Sequence, residues 1–325
     1  MTSIAVVIPA YRVAQQIVPL IARIPPLVTR IIVVDDACPE HSGALVRRQV
    51  SDPRVQLIVH AQNQGVGAAV ISGVRAALEG GADIVVKLDG DAQYDPELIP
   101  YLVQPIIEGN ADVTKGNRFF FLEDVAQMPA LRLFGNAVLS FVNKAVSGYW
   151  DVMDPTNGFI AIHAEVLHML PLDKLAPRYF FESDLLFRLG TLRAVVQDMP
   201  VRAHYADEQS SLRIGATVLG FPLKYASRLL KRVFYNHFLR DFNLGSVSLV
   251  VGLLLLGSGG IFGALEWYRS YATGHPATAG TVMLVALQLI VSLNLLILFL
   301  TVDIGNVPRR VLHRSVLRQS GRRNP

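Results

Sequence analysis

Two stretches place carboxylates where an apolar run stops. In "VVKLDGDAQYDPELI", residues 85–99, the run leads into Asp89-Gly90-Asp91-Ala92-Gln93, and "RIIVVDD" closes on Asp35-Asp36. Carboxylate oxygens suit a hard divalent cation, Mg²⁺ or Mn²⁺, and a cation held there can also bind a diphosphate. Gly90 permits a tight turn and the close approach of a ligand, and Gln93 adds a neutral oxygen. Acids in such a place can also do no more than start the next helix. Asp95, followed by Glu97, fits that role as an N-cap, but it does not account for Asp89 and Asp91. We therefore read Asp89, Asp91 and Gln93 as a metal–nucleotide site.

The elements that must hold these residues are legible in the first 210 positions. "SIAVVIP", "RIIVVDD", "VQLIVH", "DIVVKLD" and "ADVTKGN" are short, β-branched apolar runs. Helix-like segments over about 14–24, 42–50, 66–79 and 95–108 separate most of them. Alternating strands and helices imply an α/β fold with a mostly parallel sheet between helix layers, and near-continuous Val/Ile runs suit strands buried on both faces. Ligands of such sheets gather at the C-terminal strand ends, where Pro9-Ala10-Tyr11, Asp35-Asp36 and the 89–93 acids fall. "NQGVGAAVISG" carries Gly65-x-Gly67 after the third strand and lacks a third glycine at full spacing. It is read as a helix start near a diphosphate rather than as a dinucleotide fingerprint. "YFFESDLLFRLG" offers Glu182 and Asp184, either as acceptor-positioning groups or as acids of a helix N-terminus. The eight histidines show no ligand spacing.

Charge divides the chain. Residues 1–220 hold 18 Lys/Arg against 23 Asp/Glu, a net of −5, and residues 221–325 hold 12 against 3, a net of +9. Basic character confined to the C-terminal third argues against a nucleic-acid partner and for a membrane surface. There, "LGSVSLVVGLLLLGSGGIFGAL" (244–265) and "GTVMLVALQLIVSLNLLILFLTV" (280–302) are long apolar runs without a charge, each long enough for a helix to cross about 30 Å of hydrocarbon. Gly259-x-x-x-Gly263 permits close helix contact. Between the runs, Trp267, Tyr268 and Tyr271 suit an interfacial belt. Before them, residues 211–243 read as amphipathic and interfacial, with Leu230, Phe234 and Phe238 on one face. After them, 303–325 read as a basic tail. The positive-inside rule places both basic flanks in the cytoplasm, so the chain is expected in the inner or plasma membrane as a hairpin, its catalytic domain (1–210) cytoplasmic. The single cysteine, Cys38, excludes an internal disulfide, and the N-terminus does not read as a cleaved signal peptide.

As a set, "VVIPAY", "IIVVDDA", "NQGVGAAVISGVRAAL", "VVKLDGDAQYDPELI", "KGNR" and "DPTNGF" resemble, in order and spacing, the family 2 glycosyltransferases of GT-A fold. They are most similar to polyprenyl-phosphate glycosyltransferases such as dolichol-phosphate mannose synthases and GtrB-type enzymes. The likeness covers about residues 4–200 and, with the two apolar helices, nearly the whole chain. It implies that Pro9, Tyr11, Asp36, Asn63 and Gly65 line a nucleotide pocket together with Asp89. Asp91 and Gln93 would hold Mg²⁺ or Mn²⁺, with Asp89 contributing. Arg118 and Arg132 would face phosphates, Arg132 that of the acceptor, while Asp154 and Asn157 would border the sugar. It further implies inverting transfer of a hexose from a UDP- or GDP-sugar to a polyprenyl phosphate, and admits a homo-oligomer, a tetramer by that likeness. Two positions depart from the pattern. "YRV" stands where relatives often read "YNE", and "YADEQSSL" (205–212) replaces a late basic motif. A membrane glycosyltransferase with a hydroxyl acceptor, and a scaffold of the same fold without catalysis, are the alternatives.

Overall fold

The computed structural model describes residues 2–126, 128, 130–202 and 214–319, which form two compact units. Unit 1 comprises residues 1–229 and 308–325, and unit 2 comprises 230–307.

Unit 1 is built on alternating strands and helices: β1 (Ile4–Ala10), α1 (Ile17–Ala22), β2 (Arg30–Asp35), α2 (Ser42–Gln49), β3 (Val55–Val59), α3 (Val66–Glu79), β4 (Ile84–Lys87), α4 (Ile99–Ile107) and β5 (Val113–Asn117). Then come α5 (Leu122–Ala126), α6 (Ala130–Ser147), β6 (Ile160–His163), α7 (Ala164–Met169), α8 (Phe181–Leu192), β7 (Val196–Pro200) and the start of α9 (Ile214–Phe234). The seven strands lie in the order β3-β2-β1-β4-β6-β5-β7. All neighbours pair in parallel except β6, which runs antiparallel to β4 and β5. The five apolar runs and four helical segments read from the sequence are all present. β6 and β7 are additions, each short, and the "VQDMP" of β7 has neither a long apolar run nor alternation. β1, β4, β5 and β6 are buried along their whole length, as expected where helices cover both faces of a sheet. Ile8, Ile31, Val86, Leu88, Leu102 and Phe159 belong to the core so formed.

The segment after the second apolar helix, expected only as a basic tail, contributes α12 (Leu312–Gln319) to unit 1. The buried Asp112 carboxylate, just before β5, accepts the backbone N–H groups of Leu312 and His313 at 2.9–3.0 Å and bonds His313 Nδ1 at 2.8 Å. It thereby caps α12 with a charge-assisted bond set. The rings of His313 and His163 stack 4.1 Å apart. Burial, aided by His313, pulls His163 down to about 4.

Unit 2 holds the rest of α9, a π-turn over Tyr235–Arg240, α10 (Leu244–Thr273) and α11 (Ala279–Gly305). Both long helices have the length and composition to cross a membrane. They pack antiparallel: a Cβ on Gly259 would lie 3.0 Å from Gln288 Cβ, and one on Gly263 would lie 2.9 Å from Val285 Cγ1. The small-residue pair thus serves the close contact read from its spacing. α10 extends past the apolar run to Thr273, so Trp267, Tyr268 and Tyr271 are helical and exposed. The connecting turn shrinks to 274–278. At the end of α11, buried Asp303 takes a bidentate bond from Arg232 (2.7 and 2.9 Å) and a third from His237 (2.9 Å). Burying an acid in an apolar helix is costly without such partners.

Candidate active site

The acidic turn sits where the sequence placed it, at the C-terminal end of β4. Ala92 adopts φ 59°, the left-handed region that non-glycine residues rarely enter, and Asp91 Oδ1 accepts the Gln93 N–H at 3.1 Å across the same turn. Backbone strain of this kind persists where surrounding contacts fix it. Asp95 caps the next helical turn, accepting the Glu97 N–H at 2.9 Å, and pairs with Arg23 at 2.7 Å. It acts as the helix-start acid and not as part of the site.

Beneath the turn lies an ionic floor. Lys87 ends β4 and is 6% exposed. Its Nζ donates to Asp89 Oδ1 and Oδ2 at 2.8 and 3.1 Å and to Glu182 Oε1, from the first turn of α8, at 3.1 Å. Burial opposes the ammonium charge, but the two carboxylates outweigh it and hold Lys87 above the usual lysine range. Gly158 closes over the pair, and a Cβ there would fall inside both Asp89 Oδ2 and Lys87 Nζ. The neighbouring residue, Asn157, accepts a bond from buried Lys115 through its carbonyl. Burial takes Lys115 down to about 8 despite nearby Asp154 and Glu182. Asp198, with burial the main cause, is pushed up to about 6.

Beside this floor, Arg118 follows β5. Its Nε and Nη2 bond the two oxygens of Asp154 at 2.8 and 3.2 Å, and Nη2 also reaches Thr156 Oγ1 at 3.2 Å. Asp154 is fully buried and also accepts Asn157 Nδ2 at 3.1 Å. Arg118, Asp154 and Asn157 therefore form one cluster, with the arginine fork oriented by a planar carboxylate.

At the end of β2, Asp36 faces inward. It is 2% exposed, and its oxygens bond His60 Nδ1 (2.7 Å), the Gln64 N–H (2.9 Å) and the Gly65 N–H (2.7 Å). Asn63 Nδ2 reaches the Asp36 carbonyl at 3.3 Å. The acid thus braces the 63–65 loop. Gly65 has φ 101°, and a Cβ there would meet the Pro177 carbonyl at 2.6 Å, so this glycine answers to backbone geometry and close packing. Pro9 is buried in β1; Tyr11, just beyond that strand, is exposed beneath the Arg12 guanidinium.

Glu182 and Asp184 part company. Glu182 joins Lys87, whereas Asp184 is fully buried between Arg228 (2.8 Å), Arg188 (3.1 Å) and the Ala176 N–H (3.1 Å). Both acids stand in the first turn of α8, and Asp184 ties that helix to α9. The Arg132 side chain and residues 205–212 lie outside the described residues.

The donor set here suits a divalent cation without forming a dedicated cage. Among the described residues, no three His, Cys, Asp or Glu side chains converge as a metal site. One carboxylate and one amide oxygen, at Asp91 and Gln93, nevertheless match Mg²⁺ or Mn²⁺, which keep waters and take substrate phosphates as their other ligands.

The model of glycosyl transferase family 2 matches residues 5–170. The chain belongs to this family. This glycosyltransferase is 33% identical, over 55% of its length and 70% of the relative's, to UDP-N-acetylglucosamine–dolichyl-phosphate N-acetylglucosaminyltransferase of Methanococcus voltae. It is 30% identical, over 53% and 70%, to undecaprenyl-phosphate mannosyltransferase of Micrococcus luteus. Its fold is that of glucosyl-3-phosphoglycerate synthase from Mycobacterium tuberculosis, solved with Mn²⁺ and UDP-glucose. The TM-score is 0.53 at 22% identity, over 70% of this chain and 79% of that one. The sheet is accordingly GT-A-like. Sequence reasoning missed two residues of the candidate site, Lys87 and Lys115. Their signal was present in "VVKLD" and "VTKGN": a lysine inside a strand buried on both faces must meet a counter-charge or lose its own.

Proposed function

We propose that this enzyme transfers a hexose, with inversion, from a UDP- or GDP-sugar to a polyprenyl phosphate at the cytoplasmic face of a membrane. The observation that carries the reading is the strained acidic turn at 89–93, set on an ionic floor at the C-terminal edge of the sheet, in a chain that also has two membrane-length helices. The names of the relatives, which act on dolichyl and undecaprenyl phosphate, support the acceptor class.

The chemistry needs little proton transfer. A phosphate monoester has its second pKa near about 6, so the acceptor is mostly dianionic at neutral pH and already a nucleophile. A hydroxyl acceptor would need a general base, and Glu182, paired with Lys87, is poorly suited to that task. The demanding steps are alignment and charge. Asp91 and Gln93 would hold the cation, which when bound would neutralise charge growing on the leaving diphosphate. Arg118, its fork set by Asp154, brings positive charge to the same strand edge, where a second anion must approach the first. The Asp36-held loop at 63–65 forms a wall of the nucleotide pocket, which Pro9 and Tyr11, at the end of β1, also line. Asn157 borders the sugar. Attack from the side opposite the diphosphate inverts the anomeric carbon.

A direct test reconstitutes the full chain in detergent with Mn²⁺ or Mg²⁺, a panel of UDP- and GDP-sugars, and either a short polyprenyl phosphate or the corresponding polyprenol. Expected is one donor giving a polyprenyl-phosphate sugar, with no product from the alcohol. Equal transfer to the alcohol would overturn the acceptor assignment.

A further inference from the structure

Lys87 is used by no step above, yet it is a buried cation at the C-terminal end of β4. Its side chain is 6% exposed, and its three N–H donors have three carboxylate oxygens within 3.1 Å, two on Asp89 and one on Glu182. These partners come from separate elements. Asp89 follows the strand that carries Lys87, and Glu182 stands in the first turn of α8. Gly158, from the segment entering β6, lies against both Asp89 Oδ2 and Lys87 Nζ, with no room between them for a Cβ.

We propose that Lys87 is a positioning residue that locks Asp89 and Glu182 into one ionic unit, so that Asp89 stays out of the cation's coordination and presents its carboxylate edge to the donor sugar, leaving Asp91 as the charged metal ligand. The inference rests on the nucleotide-sugar reading of this site. A divalent cation placed directly on Asp89 would sit next to an ammonium that the same carboxylate already holds at 2.8 Å, and two like charges sharing one carboxylate repel strongly in a partly dry site. Asp91 lies two residues further along a turn that its own Oδ1 braces through the Gln93 N–H, so the two acids of the motif have separate partners. Glu182 then serves as the second counter-ion that keeps Lys87 charged and in place, and not as a proton acceptor.

The test measures binding apart from turnover. Mn²⁺-dependent binding of UDP and of GDP to the full-length, detergent-solubilised protein is followed by titration calorimetry, with free and bound Mn²⁺ counted by electron paramagnetic resonance. Asp91→Asn should weaken Mn²⁺-dependent nucleotide binding by about 10- to 100-fold, the scale of a lost charge-assisted contact. Asp89→Asn should leave it within about threefold, the scale of a substitution outside the metal shell. Lys87→Met should split the readouts. Mn²⁺ binding should tighten by about tenfold as a repelling charge disappears, while kcat should fall by about 10- to 100-fold as Asp89 loses its support. A residue needed only for folding would not move the two in opposite directions. Lys87→Arg, which keeps the charge, should recover part of the turnover and the wild-type Mn²⁺ affinity. If Lys87→Met does not fold, the Asp89 and Asp91 variants decide by themselves. Equal losses of Mn²⁺ binding in Asp89→Asn and Asp91→Asn would overturn the proposal, as would a folded Lys87→Met with unchanged Mn²⁺ affinity. Wild type that binds neither nucleotide with Mn²⁺ would instead sink the nucleotide-sugar reading and take this inference with it.

Discussion

Gly158→Ala is the most economical perturbation of this site, because it adds one methyl group and removes no functional atom. The added Cβ would stand 2.5 Å from Lys87 Nζ and closer still to Asp89 Oδ2, where ordinary contact begins at 3.4 Å. Gly158 is buried, and its neighbours Asn157 and Phe159 are fixed by the Asp154 and Lys115 bonds and by core packing. The backbone therefore has little room to yield, and the Asp89–Lys87 pair must move by about 1 Å. A displacement of that size in a reacting constellation can cost about 100-fold in rate, or about 2.7 kcal/mol of barrier. Overpacking of a close-packed interior also costs about 1–3 kcal/mol of stability. The assay measures transfer of labelled sugar to a short polyprenyl phosphate, with each substrate varied in turn, beside a thermal unfolding curve. Expected is a protein that still folds, with kcat/KM for the donor down by roughly two orders of magnitude. The effect on the acceptor KM should be smaller. A folded Gly158→Ala enzyme with wild-type kcat/KM would show that the position of Asp89 against Lys87 does not matter to the reaction.

Two other expectations follow from buried charge and from chain topology. Asp198 binds its proton more tightly when folded, its pKa lying at about 6 against an ordinary 3.8, so this group's contribution is fully present below pH 3.8 and is lost as pH rises through about 6. Asp198→Asn has no such loss, so its stability relative to wild type should rise by about 2–3 kcal/mol between pH 4 and pH 7, read from urea unfolding followed by the fluorescence of Trp150; a difference independent of pH would refute the assignment. For the membrane hairpin, basic residues before α10 and after α11 predict that both flanks are cytoplasmic. A membrane-impermeant thiol reagent should label a cysteine placed at His275 in intact cells and not one placed at Ser315, and the reverse pattern would invert the topology.

Much of this protein was legible before any coordinates. The strand-end position of Asp89, Asp91 and Gln93 was, because a β-branched run that stops at acids can be read locally and because parallel sheets present their C-terminal ends to ligands. The two membrane-length helices were legible because hydrophobicity over a long window depends on composition alone, and Gly259 and Gly263 already marked their contact face. Other features were settled only by contacts between distant parts of the chain. Asp36 bonds His60, Gln64 and Gly65, 24 or more residues on. Glu182 and Asp184, two residues apart on one helix, went to different ionic clusters, since side chains two positions apart leave a helix on different faces. Arg118 found Asp154, 36 residues away, and Asp112 found the backbone of Leu312 and His313, 200 residues on. Residue type and spacing report which groups a segment carries and where an element stops. Which counter-charge a buried group meets depends on which elements become neighbours, and a carboxylate shut away from water must take whatever donor the tertiary structure brings within hydrogen-bond reach.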